Sequence, residues 1–279
     1  MVKKYFTVFT PVYNGAKHLH RVFASVKAQS FQNFEWIIVN DGSEDETEKM
    51  VLDFISQNPE LDITYIYQVN SGKHIAWNKA VALAKGELFV PADADDSFDQ
   101  HSLAFFHSVW HGLPTERKRR LSGVNVLCLD NDSDNVVGST YPADGMEASN
   151  LELMYKYKML GEKWGCIRVD LLKERPFPAV QGACAPLSFL WLSLSKAHKI
   201  LCFNRALRRY YTTPSGITQT AHKNRYSLAK SKLILDYNYW FMKHFGLYVL
   251  RNSPKDFIQT IASTVMRSLI LLAYKVKKV

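Results

Sequence analysis

Cysteine is scarce in this chain of 279 residues: four are present, and no two form a C-x-x-C pair. That spacing argues against a zinc site or a dithiol redox centre. Cys128, Cys166 and Cys202 each lie in an apolar, strand-like run, so buried free thiols in a reducing compartment are expected. Cys184, in Gly-Ala-Cys-Ala-Pro, reads as a small buried thiol rather than a nucleophile. The opening Met-Val-Lys-Lys-Tyr-Phe-Thr-Val is too short and too soon polar to read as a signal peptide. Internal repeats and low-complexity tracts are missing. So is a P-loop: before Lys73-His74 the required early glycine is replaced by Tyr67, and His74 stands where Ser or Thr is needed. Asp130–Asn135 begins like a calcium loop, but Asn135 takes the glycine position and Tyr141 that of the final glutamate. A hairpin turn returning through Val136 and Val137 is expected there instead.

Net charge is missing too, over most of the length. Residues 1–214 balance at 24 of each sign. The whole +9 excess lies in residues 215–279, where eleven Lys/Arg face Asp236 and Asp256. A neutral body with a basic tail is not the pattern of a nucleic-acid-binding domain. It suits a cytoplasmic domain held against an acidic surface, such as the anionic inner leaflet of the plasma membrane. The tail reads as two helices, about 225–246 and 254–275. In the second, Phe257, Ile258, Ile261, Val265, Leu269 and Leu272 form a stripe. Asp256, Gln259 and Arg267 interrupt it, which argues against a membrane span. Three roles remain open: an interfacial helix, packing on the body, or a homo-oligomer contact.

What is present begins with a composition 47% hydrophobic, enough for a substantial core. Tyr5–Thr10, Phe34–Asn40, Asp62–Gln68 and Glu87–Ala92 read as strands, rich in β-formers and closed by turn residues. Helices are expected between them at 16–29, at about 43–56, where Ser43 and Glu46 have capping-box spacing, and from His74 to Lys85 with Gly86 as C-cap. This β-α alternation with short connections predicts an α/β fold with a parallel sheet covered by helices. Ligands in such sheets sit beyond the carboxyl ends of the strands. Pro11–Asn14, Asp41–Ser43, Asn70–Lys73 and Asp93–Asp96 all lie there, so four loops converge on one crevice. Three of those last residues are carboxylates, Asp93, Asp95 and Asp96, packed into four positions. Like charges that close are stabilised by a cation, and Mg²⁺ or Mn²⁺ would share the oxygens with a phosphate.

Farther on, a helix around Leu103–Trp110, a solvated loop Glu116–Arg120, a strand Leu121–Leu129 and a tyrosine-rich helix 149–160 are expected. They are followed by a strand through Val169 with a short helix, a helix Pro186–Lys196, and two short strands at Ile200–Phe203 and Leu207–Tyr211.

Five pieces now stand in order: Thr10-Pro-Val-Tyr-Asn14; Trp36-Ile-Ile-Val-Asn-Asp-Gly-Ser43 with Asp45 and Thr47; Asn70-x-Gly-Lys-x-x-Ala-x-Asn78; Lys85-Gly-Glu87; and Asp93-x-Asp-Asp96. Together they resemble the family 2 glycosyltransferases of GT-A fold, strongly over residues 6–98. Gly161-Glu-Lys-Trp-Gly165 and Pro176-Phe-Pro178 extend the likeness more weakly to about residue 215. The resemblance implies a Rossmann-like, mostly parallel central sheet flanked by helices, with a helical C-terminal extension. Residues 1–98 would be the nucleotide-sugar half, 99–214 the acceptor half and 215–279 the extension. It further implies a UDP-sugar donor, a divalent metal (Mn or Mg), and a glycan or lipid-linked acceptor in surface polysaccharide or glycolipid synthesis. By position, Pro11 and Tyr13 would flank the base, Asp41 would accept from a base N–H, and Lys73 would lie near base or phosphates. Asn78 would support the donor loop, and Asp93, Asp95 and Asp96 would face ribose and metal. A late histidine, His222, completes the metal site in some relatives; an ordinary surface histidine is the plainer reading.

One position departs from the family. Inverting members need a carboxylate base, and the run Pro186-Leu-Ser-Phe-Leu-Trp191 carries Leu187 where the resemblance implies Glu. Glu162 is the substitute candidate, with Asp170 a second. The alternative is a nucleotide-sugar-binding subunit with little activity of its own.

Overall fold

The computed structural model describes residues 3–179, 185–212 and 227–276. Its framework is one nine-stranded sheet in the order β3-β2-β1-β4-β8-β6-β9-β5, with β7 (Met146–Ala148) beside β9. The first four strands are β1 (Phe6–Val12), β2 (Phe34–Asn40), β3 (Ile63–Tyr67) and β4 (Leu88–Pro91), all parallel. The sheet then becomes mixed, so "mostly parallel" holds only for this first half. β8 (Lys163–Arg168) runs antiparallel to β4 and to β6 (Leu121–Asp130), and β6 is parallel to β9 (Lys199–Tyr210). β5 is the two-residue strand Ser97–Phe98, antiparallel to β9.

Alternation along the strands feeds two cores. Phe6, Val8, Trp36, Ile38, Leu88 and Val90 face one side, where α1 (Leu19–Lys27), α2 (Thr47–Gln57) and α4 (Ser102–His111) pack. Phe9, Ile37, Val39 and Phe89 face the other, against α3 (Lys73–Leu83), α6 (Val169–Lys173) and α7 (Leu187–Leu194). A strand buried on both faces is apolar throughout, which is why these strands read so clearly. Each fully buried large apolar side chain contributes roughly 1.5–3 kcal/mol.

Several local expectations are corrected. The Ser43/Glu46 capping box does not form; the Ser43 hydroxyl instead accepts the Asn14 N–H. Gly86 is no C-cap: Ala84 holds that place, and a Cβ on Gly86 would meet the Thr7 nitrogen at 2.5 Å. Residues 116–120 are helical, within α5 (Thr115–Arg120). The expected helix 149–160 shrinks to a π-helical turn, Glu152–Lys156. The two short strands at 200–211 are one, β9. Asn204 and Arg205 only bulge it, and the Asn204 amide exchanges hydrogen bonds with the backbone of Tyr141. The hairpin after β6 closes as expected, with a bridge between Leu129 and Val136.

Two long helices, α8 (Leu228–Asn252) and α9 (Pro254–Val276), complete the described chain. Asp256, Gln259 and Arg267 do not take α9 below the length and apolarity needed to cross a membrane, since Pro254–Tyr274 meets both by composition.

Candidate active site

Strand order reverses between β1 and β4, and open α/β sheets take their ligands beyond the carboxyl ends of the strands at such a point. Backbone bonds bring the exits of the strands level. Ala92 N–H donates to Phe9 O at 2.7 Å, Asp41 N–H to Val12 O at 2.8 Å, and Gln68 N–H to Asn40 O at 2.9 Å.

The four loops are then tied to one another in sequence. Asn14 takes a left-handed φ of 49°, and its turn presents consecutive N–H groups. Asn14, Gly15 and Ala16 donate to Ser43 Oγ, Thr47 Oγ1 and Asp45 Oδ2 at 2.9, 2.9 and 3.1 Å. Burial opposes ionisation of Asp45, but its hydrogen bonds to Thr47 and Ala16 outweigh it and hold the carboxyl below its ordinary value. Loop two thus latches loop one. Asp41 latches loop three: Oδ1 accepts Gln68 Nε2 at 2.7 Å and Ser71 N–H at 2.8 Å, and Oδ2 accepts Gly72 N–H at 2.8 Å. Gly72 has φ 93°, a conformation that costs a side-chain-bearing residue energy, and it turns the chain into α3. Lys73 is therefore the first residue of α3, and its Nζ reaches Asp93 Oδ1 in loop four at 2.5 Å.

Arg208 from β9 lies on the far side of the carboxylates. Its Nη2 is 3.0 Å from Asp93 Oδ2, and its Nε donates to Asp96 Oδ2 at 2.7 Å. Asp96 Oδ1 accepts the Tyr211 N–H at 3.1 Å. Arg21 of α1 donates to the Asp95 carbonyl at 2.9 Å and lies over the Tyr211 ring. Burial favours the neutral form of Asp93, yet Lys73 and Arg208 overcome it and hold the carboxyl at about 2. For Asp96 burial prevails over the pull of Arg208, with Asp93 and Asp95 adding to it, and moves the group up to about 6. Burial opposes the charge on Arg208, but Asp93 and Asp96 more than offset it, so the guanidinium is held charged.

Each expected site residue can now be placed. Pro11 is at the end of β1, and Tyr13, 51% exposed, stands at the crevice. Asp41 is buried under loop three with most of its acceptor capacity in use. The Asn78 side chain is engaged by another segment: it and the Phe177 backbone exchange two hydrogen bonds, 2.8 and 2.9 Å. Glu162 is exposed just ahead of β8, whose antiparallel run beside β4 puts it at the carboxyl end of that strand. The neighbouring Trp164 donates to Pro91 O at 2.6 Å and so fixes β8 against loop four. Leu187 opens α7 and is 41% exposed. Asp170 is removed as a base: it pairs with Arg168 and lines a cavity with Lys3, Gly86 and Glu87, at the amino ends of the strands. Lys85-Gly86-Glu87 is at that far end too. There Glu35 accepts the Lys85 N–H, and Glu87 accepts Trp110 Nε1. Cys184 and His222 lie outside the described residues. Arg208 was not foreseen, because its partners are more than a hundred positions away and nothing local distinguishes it.

Among the described residues, no three His, Cys, Asp or Glu side chains are grouped to hold a metal ion. Mg²⁺-type sites, however, use one or two carboxylates together with substrate phosphates. Asp93 and the half-buried Asp95 are carboxylates of that kind, but both Asp93 oxygens already face cations, Lys73 and Arg208, and Asp96 is taken up by Arg208 and the Tyr211 N–H.

Residues 7–104 match the model of glycosyl transferase family 2. The matched segment belongs to that family. An uncharacterized glycosyltransferase of Rickettsia felis is 35% identical over 203 residues, 72% of this chain and 29% of its own length. Bacillus subtilis TuaG, whose name assigns it to teichuronic acid biosynthesis, is 32% identical over 97 residues, 35% of this chain and 38% of its own. The chain thus spans well under half the length of these two relatives. Among solved structures, S. aureus TarS 1–349 in complex with UDP-GlcNAc superposes with a TM-score of 0.65 at 19% identity, covering 94% of this chain and 72% of that one. The mannosyltransferase PcManGT of Pyrobaculum calidifontis, in complex with GDP-Man and Mn²⁺, gives 0.60 at 16%, covering 99% and 76%. The GT-A fold extends across the mixed half of the sheet, beyond the matched family segment.

Proposed function

We propose that this family 2 protein moves a sugar from a nucleotide-diphosphate donor, a UDP-sugar, onto a hydroxyl of a glycan or lipid-linked acceptor in surface polysaccharide or glycolipid synthesis. The observation that carries the reading is the latch between loops, which sets Lys73, Asp93 and Arg208 together at the β1/β4 switch point. Residues 1–98 would hold the donor and 99–214 the acceptor. Tyr13 offers a ring for the base to stack on. Asp41 acts mainly by holding loop three, with Oδ2 left to accept a base N–H. Asp93 and Asp95 would hold a divalent ion, which when bound supplies positive charge against the departing diphosphate. Lys73 supplies the same from the chain itself, at the start of a helix whose dipole adds to it.

In the transfer, the acceptor oxygen attacks the anomeric carbon while its proton passes to a carboxylate. The bond from that carbon to the diphosphate oxygen breaks, and the nucleotide leaves with the electron pair. Glu162, at the carboxyl end of the sheet beside β4, would be the carboxylate that takes the proton. Leu187 supports a second reading, a subunit that binds donor without turnover, because leucine takes no proton.

UDP with Mn²⁺ is expected to raise the melting temperature, and Asp95→Ala to remove the rise. Glu162→Gln should keep the rise and lose product formation. No shift with UDP, GDP or dTDP species would overturn both readings. A shift without turnover in the unaltered protein, with activity appearing in Leu187→Glu, selects the second.

A further inference from the structure

The α9 helix is built inside out. A surface helix ordinarily turns its apolar face to the protein and its polar face to water. Here polar residues in the middle of the helix point inward: Asn238 of α8 donates to Ser263 at 3.3 Å, and Arg267, buried, donates to Ser231 at 3.2 Å, while Gln259 is exposed. These pairs run α9 antiparallel along α8. The outward face carries Ile258 (64% exposed), Ile261, Val265 (54%), Leu269 (60%) and Leu272 (57%). Their spacing of three, four, four and three keeps them on one stripe, and no charge falls on it. A continuous exposed apolar strip of this kind marks a contact surface.

We propose that this face of α9 lies on an anionic lipid surface, with the helix flat in the interface. Charge selects this occupant. Arg251 and Lys255 stand at one end of the stripe, and Lys275, Lys277 and Lys278 follow it in sequence; the tail holds eleven cations against two acids. A second copy would bring the same positive charge to the contact, whereas an anionic leaflet brings the opposite one. Flat rather than spanning follows from the lengthwise bonds to α8. A spanning α9 would pull α8, with its exposed Lys232, Asp236 and Lys243, into hydrocarbon. The proposal does not depend on the transfer chemistry.

The test is co-sedimentation of the full chain with phosphatidylcholine vesicles, with and without phosphatidylglycerol. The comparison variant is V265D/L269D, whose substitutions are exposed and should leave the urea midpoint unchanged. Expected is binding about tenfold stronger to the anionic vesicles, weakened by salt, and lost by about tenfold in the variant. The UDP-dependent melting shift should be the same in both proteins, so that a failure here is separable from a failure of the donor site. Three results would overturn the proposal: no binding to anionic vesicles, equal binding by the variant, or light scattering that shows a dimer which the variant dissociates.

Discussion

Arg208 is the residue on which the carboxylate cluster rests. It is buried, it faces both Asp93 and Asp96, and it reaches them from a strand in the other half of the sheet. Removing one partner from a buried ionic group leaves the other uncompensated, at a cost of about 3–5 kcal/mol. Arg208→Met is therefore expected to lose that much stability in urea unfolding, and Arg208→Met/Asp96→Asn to regain a large part of it, because the stranded charge goes too. A single variant within about 1 kcal/mol of the parent would show that the cluster is relaxed by water instead. Nothing in the residues around Arg208 announces this role. Asp93, Asp95 and Asp96 were legible because three carboxylates in four positions need a cation. The cation closest to them in the fold is invisible until β9 is laid beside β5 and β6.

Elements were legible where burial is regular. β1, β2 and β4 are covered on both faces and β3, at the sheet edge, is half-buried, yet the apolar runs of all four end at turn residues close to the observed limits. α5 was misread because four of its six residues are basic, so no apolar period exists to find. β9 was split in two because Asn204 and Arg205 are exposed at its bulge and look like a turn. Helix α3 shows a different kind of hidden cost. Its second residue, His74, is buried, and among the described residues neither ring nitrogen has a partner. Burial lowers its pKa from the ordinary 6.5, with Asp41 opposing more weakly. A base whose folded pKa is depressed takes up protons on unfolding. Its contribution to stability is complete above about 6.5 and is lost as pH falls below that value. Melting temperature should drop between about pH 7 and about pH 5, and His74→Leu should flatten that part of the profile. Other histidines are lowered as well, so the difference between the two profiles is the quantity to read. Parallel profiles would mean that His74 gains a partner when it is protonated.

At the scale of the molecule, the four loops at the switch point and the strands of residues 99–214 share one sheet, and Asn78 joins the two parts again. Its position in the Asn70–Asn78 motif pointed to donor support. The observed side chain instead closes a reciprocal pair with the Phe177 backbone, 99 residues away, and Phe177 packs edge-on to Trp77 in the same core. The two roles make opposite predictions for Asn78→Ala. A donor ligand would lose UDP affinity with little change in stability. A tie between halves would lose two hydrogen bonds, one leaving a buried backbone N–H unpaired, for a cost of roughly 1–3 kcal/mol. The tie predicts lower stability, faster amide hydrogen exchange at Phe177, and UDP affinity within about threefold of the parent, equivalent to less than 1 kcal/mol. Weaker UDP binding with Phe177 still protected would return Asn78 to the donor site. The same measurement would then show that α3 contacts the nucleotide along its length rather than at Lys73 alone.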